Sequence, residues 1–254
     1  MQFSGTPAIN IQGSGSCPAN ASLQVTFQPI LNMETQQVSG AEVLLRVHND
    51  QQLMSTSDYL SSATTSGNIV ELDRWVIEES MQVYGQWSEK YHHAIFLSIN
   101  ISETTLTRPD FPGFLQHCLL QYLFYAEFLV LEIDYQSLKN VECQSNIQAI
   151  RDLGIQISID KVDTPEHLTQ LYQDKQYSWC KLQSEALNYL RNPVFISEMI
   201  KQMENNFVST IATNIENSDQ LELCTQLGLR YFQGYLGSKP LCGEEFESWF
   251  LASA

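Results

Sequence analysis

The sequence predicts an α/β fold, a single (β/α)8 barrel, and three observations lead there. Eight apolar, strand-like runs alternate with helical patterns along the chain. The 254 residues match the length of about 250 typical of one such barrel. No G-x-G-x-x-G follows any strand-like run, so the runner-up, an open doubly wound sheet, lacks support.

Taken in order, residues 1–21 are rich in Gly, Ser, Asn and Pro, nearly uncharged, and read as a flexible lead-in; residues 22–254 read as the barrel domain. Strand-like runs lie at 23–31, 41–47, 94–101, 128–134, 155–160, 177–182, 207–212 and 230–236. Residues 71–90 place Leu72, Trp75, Val76, Val83 and Trp87 at helical spacings, and 111–125, 137–152, 164–173, 185–204 and 217–227 follow suit. Asn217 with Gln220 behind it is a capping start. Trp75, Met81, Met199 and Met203 are packing residues, and 244–249 reads as a closing helix. Tyr91-His92-His93 reads as a solvated loop rather than a metal site.

Hydrophobic residues form 43% of the chain, enough for a sizeable core, yet no apolar run reaches the ~20 residues of a membrane span. No basic-then-apolar leader opens the sequence. The six cysteines (Cys17, Cys118, Cys143, Cys180, Cys224, Cys242) show no C-x-x-C spacing, which reads as reduced thiols in the cytoplasm. With 29 acidic against 13 basic residues the net charge is −16, a field that repels DNA, RNA and anionic membranes. An anionic ligand would need local cations to hold it.

The most informative stretch is residues 40–46, ending Glu42-Val43-Leu44-Leu45-Arg46. On a strand Glu42, Leu44 and Arg46 share one face, with Val43, Leu45 and Val47 on the other. A carboxylate suited to a divalent cation and a guanidinium suited to a phosphate suggest a phosphodiester site; mutual pairing on an exposed face is the alternative. Polar residues close the later strands as well: Asn100 and Ser102, then Glu132 and Asp134, Asp160, Lys181 and Gln183, Thr213 and Asn214, and Gln233. Each alone suits a turn or a cap. Gathered at successive carboxyl ends, they stand where barrels build active sites. The oxygen set Glu42, Asn100, Glu132 and Asp160 suits Mg²⁺ or Mn²⁺ rather than Zn²⁺.

These residues give the chain a resemblance to the EAL-domain family, phosphodiesterases and receptors of the bacterial messenger cyclic di-GMP. The match runs over about residues 23–243 and includes Phe27-Gln28-Pro29-Ile30, the E-x-L-x-R motif at Glu42, Leu44 and Arg46, Glu71-Leu72-Asp73-Arg74-Trp75, Asn100-Ile101-Ser102, Glu132, Asp160, Lys181, Ala212 to Glu216, and Gln233-Gly234-Tyr235. The resemblance implies a barrel of the EAL type whose first strand runs against the others. It implies metal-ligand positions at Glu42, Asn100, Glu132 and Asp160, and groups beside the attacking water at Lys181, the surviving catalytic position, and Gln233. It further implies ligand contacts at Gln28, Glu42, Leu44, Arg46, Asn100, Lys181 and Gln233.

The departures from the family pattern fall on the chemistry. The second of the paired aspartates is Lys161; the Glu three residues after Glu132 is Tyr135; the catalytic Glu of the segment after Ala212 is Thr213. Gln183 and Asp163 replace an Asp and a loop Gly. Three lost acids and one added ammonium change the pocket by about four charge units, leaving at most one weakly held Mg²⁺ or Mn²⁺. Lys161 either reaches Asp160 or Glu132 as a surrogate cation or points into solvent. With Asp163-Thr164-Pro165 in the loop, the family's dimer is left open. Three functions follow from this reading: a non-catalytic cyclic di-GMP receptor, a ligand-independent module for a regulatory protein partner, or a metal-dependent phosphodiesterase.

Overall fold

The two longest strands, β1 (Ala21–Asn32) and β2 (Val38–Asn49), form an antiparallel hairpin that places Gln28 opposite Glu42 and Thr26 opposite Leu44. Asn32 builds the turn, its Oδ1 accepting from Glu34 N–H at 2.9 Å and Thr35 N–H at 3.0 Å. The computed structural model describes residues 21–49, 52–91, 95–162, 171, 176–183 and 193–252. From β2 the sheet continues in parallel through β4 (Phe96–Asn100), β5 (Leu129–Asp134), β6 (Gln156–Val162), β7 (Trp179–Gln183), β8 (Ser209–Thr213) and β9 (Tyr231–Phe232). Strand β9 then pairs antiparallel with β1 at Leu31 and Phe232, which closes the ring; β3 (Gln52–Leu53) hangs on the edge of β2. Among the described residues this is a closed eight-stranded mixed barrel in which β1 alone opposes its neighbours, the architecture the resemblance implies.

Helices, numbered among the described residues, wrap the barrel: α1 (Thr56–Ser66), α2 (Ile69–Lys90), α3 (Glu103–Leu106), α4 (Phe111–Gln121), α5 (Tyr135–Lys139), α6 (Val141–Asp152), α7 (Pro193–Asn205), α8 (Ser218–Leu227) and α9 (Gly243–Phe246). The long helix α2 buries Leu72, Trp75, Val76, Met81 and Trp87, the residues its periodicity marks. Helix α8 begins with the full Asn217–Gln220 capping box and ends at Gly228, whose φ of 93° suits glycine.

Boundaries shift where local geometry intervenes. The run 137–152 divides because Asn140 takes an extended conformation and its side chain caps Glu142 N–H. The run 111–125 stops at Gln121, since Leu123 turns to φ 51°. Strand β8 starts only at Ser209, after Phe207 at φ 62°. Strand β9 ends at Phe232 because the chain turns under Ile215: a Cβ on Gly234 would lie 2.1 Å from the Ile215 oxygen. Helix α1 had no counterpart in the sequence reading. The lead-in 1–20, His92 and His93, Cys17, most of 164–173, residues 185–192 and Asp163-Thr164-Pro165 lie outside the described residues.

Inside the barrel the lower end is plugged by Ile30, Phe96, Val130, Trp179 and Ile211, with the Phe96 and Trp179 rings 4.5 Å apart. Gly40 makes room for that plug, since a Cβ there would come within 2.5 Å of the Phe96 ring. Burying each of these large apolar side chains contributes about 1.5–3 kcal/mol, and the plug forces polar side chains into the upper half of the lumen. The other five cysteines, Cys118, Cys143, Cys180, Cys224 and Cys242, are unbridged. No helix among the described residues is long and apolar enough to cross a membrane.

Candidate functional site

Strand register assembles the site. Gln28 on β1 faces Glu42 on β2, Glu42 faces Ser98 on β4, Asn100 faces Glu132 on β5, and Asp160 on β6 follows beside Asp134. Alternation turns these side chains into the lumen, so residues scattered over two hundred positions meet above the apolar plug. Val43, Leu45 and Val47 are buried on the opposite face, as the alternation along β2 requires.

Glu42 is the hub. Its Oε1 accepts from Asn100 Nδ2 at 2.8 Å; its Oε2 accepts from Gln233 Nε2 at 2.6 Å and Lys181 Nζ at 2.8 Å. Gln233 Nε2 also donates to Gln28 Oε1 at 3.0 Å, and Gln28 Nε2 donates to the Ser238 carbonyl at 3.1 Å. Lys181, 2% exposed, reaches across to Glu132 Oε1 at 2.5 Å, and that same oxygen accepts from the Ser98 hydroxyl. Glu42 is therefore engaged by Asn100, Lys181 and Gln233, while Arg46 donates to the Leu45 carbonyl at 3.0 Å.

The electrostatics follow from burial and charge. Burial, with the Glu42 carboxylate beside it, pushes the Glu132 carboxyl up to about 7 against the pull of Lys181. Burial also works to raise Glu42, but the Lys181 charge and three hydrogen bonds hold its carboxyl below the ordinary value. For Lys181 burial favours the neutral amine; the carboxylates of Glu132, Glu42 and Asp160 outweigh it and keep the ammonium.

Two chambers open at this rim. One, of about 450 Å³, is lined by Gln28, Glu42, Lys181, Thr213, Gln233 and Tyr235 among others. The other, of about 530 Å³ and more apolar, runs from Asn100 and Glu132 toward Leu60, Ile69 and Leu72. Leu44, Arg46 and Asp160 line both, so the chambers meet there.

The structure thus brings Gln28, Glu42, Asn100, Glu132, Lys181 and Gln233 into one hydrogen-bonded cluster, with Leu44, Arg46 and Asp160 at its mouth. Tyr135 is buried at the start of α5 with the Lys139 ammonium 4.2 Å from its ring centre. Thr213 lines the smaller chamber, its hydroxyl donating to the Leu182 carbonyl at 3.5 Å. Lys161 stands on β6, its side chain outside what the structure describes; among the described residues, Lys181 is the ammonium that meets Glu132. Sequence reasoning missed Ser98, which the period-two pattern running back from Asn100 could have found, and the Ser238 carbonyl, which carried no signal.

Two of the implied metal-ligand positions, Glu42 and Glu132, are engaged by protein donors. Both Glu42 oxygens and Glu132 Oε1 already accept from protein donors, one of them an ammonium; Glu132 Oε2 is buried without a hydrogen-bond partner among the described residues. Among the described residues no three His, Cys, Asp or Glu side chains are grouped to share a metal ion.

Known proteins share this arrangement of strands and sequence. Among relatives, the signaling protein YkoW of Bacillus subtilis is 24% identical over 232 residues, covering 89% of this chain and 29% of its own length. The probable cyclic di-GMP phosphodiesterase PdeB of Escherichia coli is 27% identical, covering 91% of this chain and 45% of its own length. The chain spans less than half of either relative. A structure titled PaMucR phosphodiesterase, c-di-GMP complex, superposes with a TM-score of 0.77 at 23% identity, covering 88% of this chain and 94% of that one. The FimX EAL domain of Xanthomonas citri in complex with c-diGMP gives 0.77 at 18% identity, covering 87% and 88%. The EAL domain model matches residues 15–240, and the chain belongs to the EAL domain family.

Proposed function

We propose that this chain is a cyclic di-GMP receptor that does not hydrolyse its ligand. The observation that carries the reading is the pair of chambers meeting at Arg46. A cyclic dinucleotide has two nucleobases joined through phosphates, and a guanidinium where two chambers meet suits that shape. Tyr235, 58% exposed beside the smaller chamber, offers a ring on which a base can stack. The loss of hydrolysis rests on the rim. Tyr135, Lys161 and Thr213 stand where the family pattern has acids, and the Glu42 and Glu132 carboxylates are tied to Lys181. Lys181 in this reading orients and neutralises rather than activating water, and Glu42, Asn100, Glu132 and Asp160 serve as ligand-side polar groups.

Isothermal titration calorimetry with cyclic di-GMP, in EDTA and again in Mn²⁺, tests the reading. Saturable binding in EDTA, weakened at least tenfold by Arg46→Ala, supports it. Linear dinucleotide accumulating at a rate typical of phosphodiesterases overturns it. A second reading, a ligand-independent module for a regulatory protein partner, draws on the net charge of −16. Absence of binding at tens of micromolar nucleotide favours that one.

A further inference from the structure

Asp73 lies on the face of α2 that packs on the barrel, among buried Leu72, Trp75 and Val76, and is itself 6% exposed. Packing does not call for a carboxylate there, and burying one is costly unless donors satisfy it. Its Oδ2 collects three: the Ser102 N–H at 3.0 Å, the Ser102 hydroxyl at 2.6 Å and the Thr105 hydroxyl at 2.6 Å. All three belong to one turn, the exit from β4 into α3, where Ser102 is also the N-cap that accepts from Thr105 N–H.

That turn begins two residues after Asn100, the last residue of β4, whose amide donates to Glu42 at 2.8 Å. On the strand side the turn is held by Ile101 N–H donating to the Glu132 carbonyl at 2.9 Å. Asn100 itself is exposed, so the direction of its side chain depends on the backbone that carries it. Its aim at Glu42 is therefore set by the backbone, and the backbone is anchored on one side by β5 and on the other by Asp73.

We propose that Asp73 is a positioning residue of the ligand site: by clamping the β4–α3 turn it holds the Asn100 amide on Glu42 and so keeps the mouth between the two chambers in binding geometry. This rests on the reading of the rim as a cyclic di-GMP site. Groups that contact a ligand work only when the residues behind them fix their orientation, and a displacement of about 1 Å weakens such a contact strongly.

A double-mutant cycle tests it, using Asp73→Asn, Asn100→Ala and the double variant, with cyclic di-GMP affinity and melting temperature recorded for each. Asp73→Asn lowers affinity about tenfold in the wild-type background and less than twofold once Asn100 is already Ala. Independent, multiplying losses, or wild-type affinity in Asp73→Asn, overturn the proposal; a purely structural role would move melting temperature alone. Should wild type bind no nucleotide, the proposed function fails, and the proposal is judged on the free protein: the Asn100 side-chain amide signals in a nitrogen-15 NMR spectrum shift in Asp73→Asn, and unmoved signals overturn it. Should Asp73→Asn not fold, Ser102→Ala and Thr105→Val remove the same hydrogen bonds from the other end, with the same outcomes expected.

Discussion

The Lys181 ammonium lies 2.8 Å from Glu42 Oε2 with only 2% of the side chain exposed, and the same nitrogen closes on Glu132 at 2.5 Å. One cation thus serves two carboxylates inside the barrel. Removing it takes from both acids the counter-charge it supplies, in a site that water reaches poorly. Lys181→Met is expected to lose about 3–5 kcal/mol of stability, the cost of breaking a buried pair. Adding Glu132→Gln to Lys181→Met should recover part of that loss. Urea unfolding of the single and double variants measures both.

The Glu132 carboxyl, raised from an ordinary 4.5 to about 7, ties stability to pH. Between those values the folded protein holds a proton on Glu132 that the unfolded chain has released. Stability from this group therefore falls as pH rises from about 4.5 to about 7, by at most about 1.4 kcal/mol per pH unit, and is level above. Replacing Glu132 with Gln removes the dependence. The difference in unfolding free energy between wild type and Glu132→Gln should slope across that window and flatten beyond it; a flat difference throughout contradicts the assignment.

Gly234 passes so close to Ile215 that an added methyl would overlap its backbone. Gly234→Ala must push the chain away and carry Gln233 with it. The expected cost is about 1–3 kcal/mol in thermal or urea unfolding, with nucleotide affinity falling as the Gln233–Glu42 bond of 2.6 Å is disturbed.

Asn217 caps α8 and is not among the residues that line either chamber. Asn217→Ala should cost about 1 kcal/mol through loss of the capping box. Nucleotide affinity in calorimetry should remain at the wild-type value, which separates general stability from effects at the rim.

Much of the fold and the cluster was legible because both depend on short-range pattern. Period-two alternation placed Glu42, Leu44 and Arg46 on one face, and strand-end position singled out Asn100, Glu132, Asp160, Lys181 and Gln233. What the sequence hid is set by distance across the barrel. That the Lys181 ammonium meets Glu132 depends on the register of β5, β6 and β7, which the sequence does not show. Asp73 matched a family motif without disclosing that its partners lie 29 and 32 residues away. Helix α1 was missed because its sequence, Thr56–Ser66, is mostly small and polar, and only Tyr59 and Ala63 are buried in it.

The hydrogen bond from Gln233 to Gln28 joins positions 205 apart in the chain, and Phe27 and Leu241 exchange backbone bonds of 2.8 and 2.9 Å just beyond it. Synthesis delivers the hairpin before the latch that closes on it. A nascent polypeptide halted before residue 233 lacks a wall of the smaller chamber, so a nucleotide bound as proposed finds its site only once β9 has been made, and closing so long a loop makes that step a slow one.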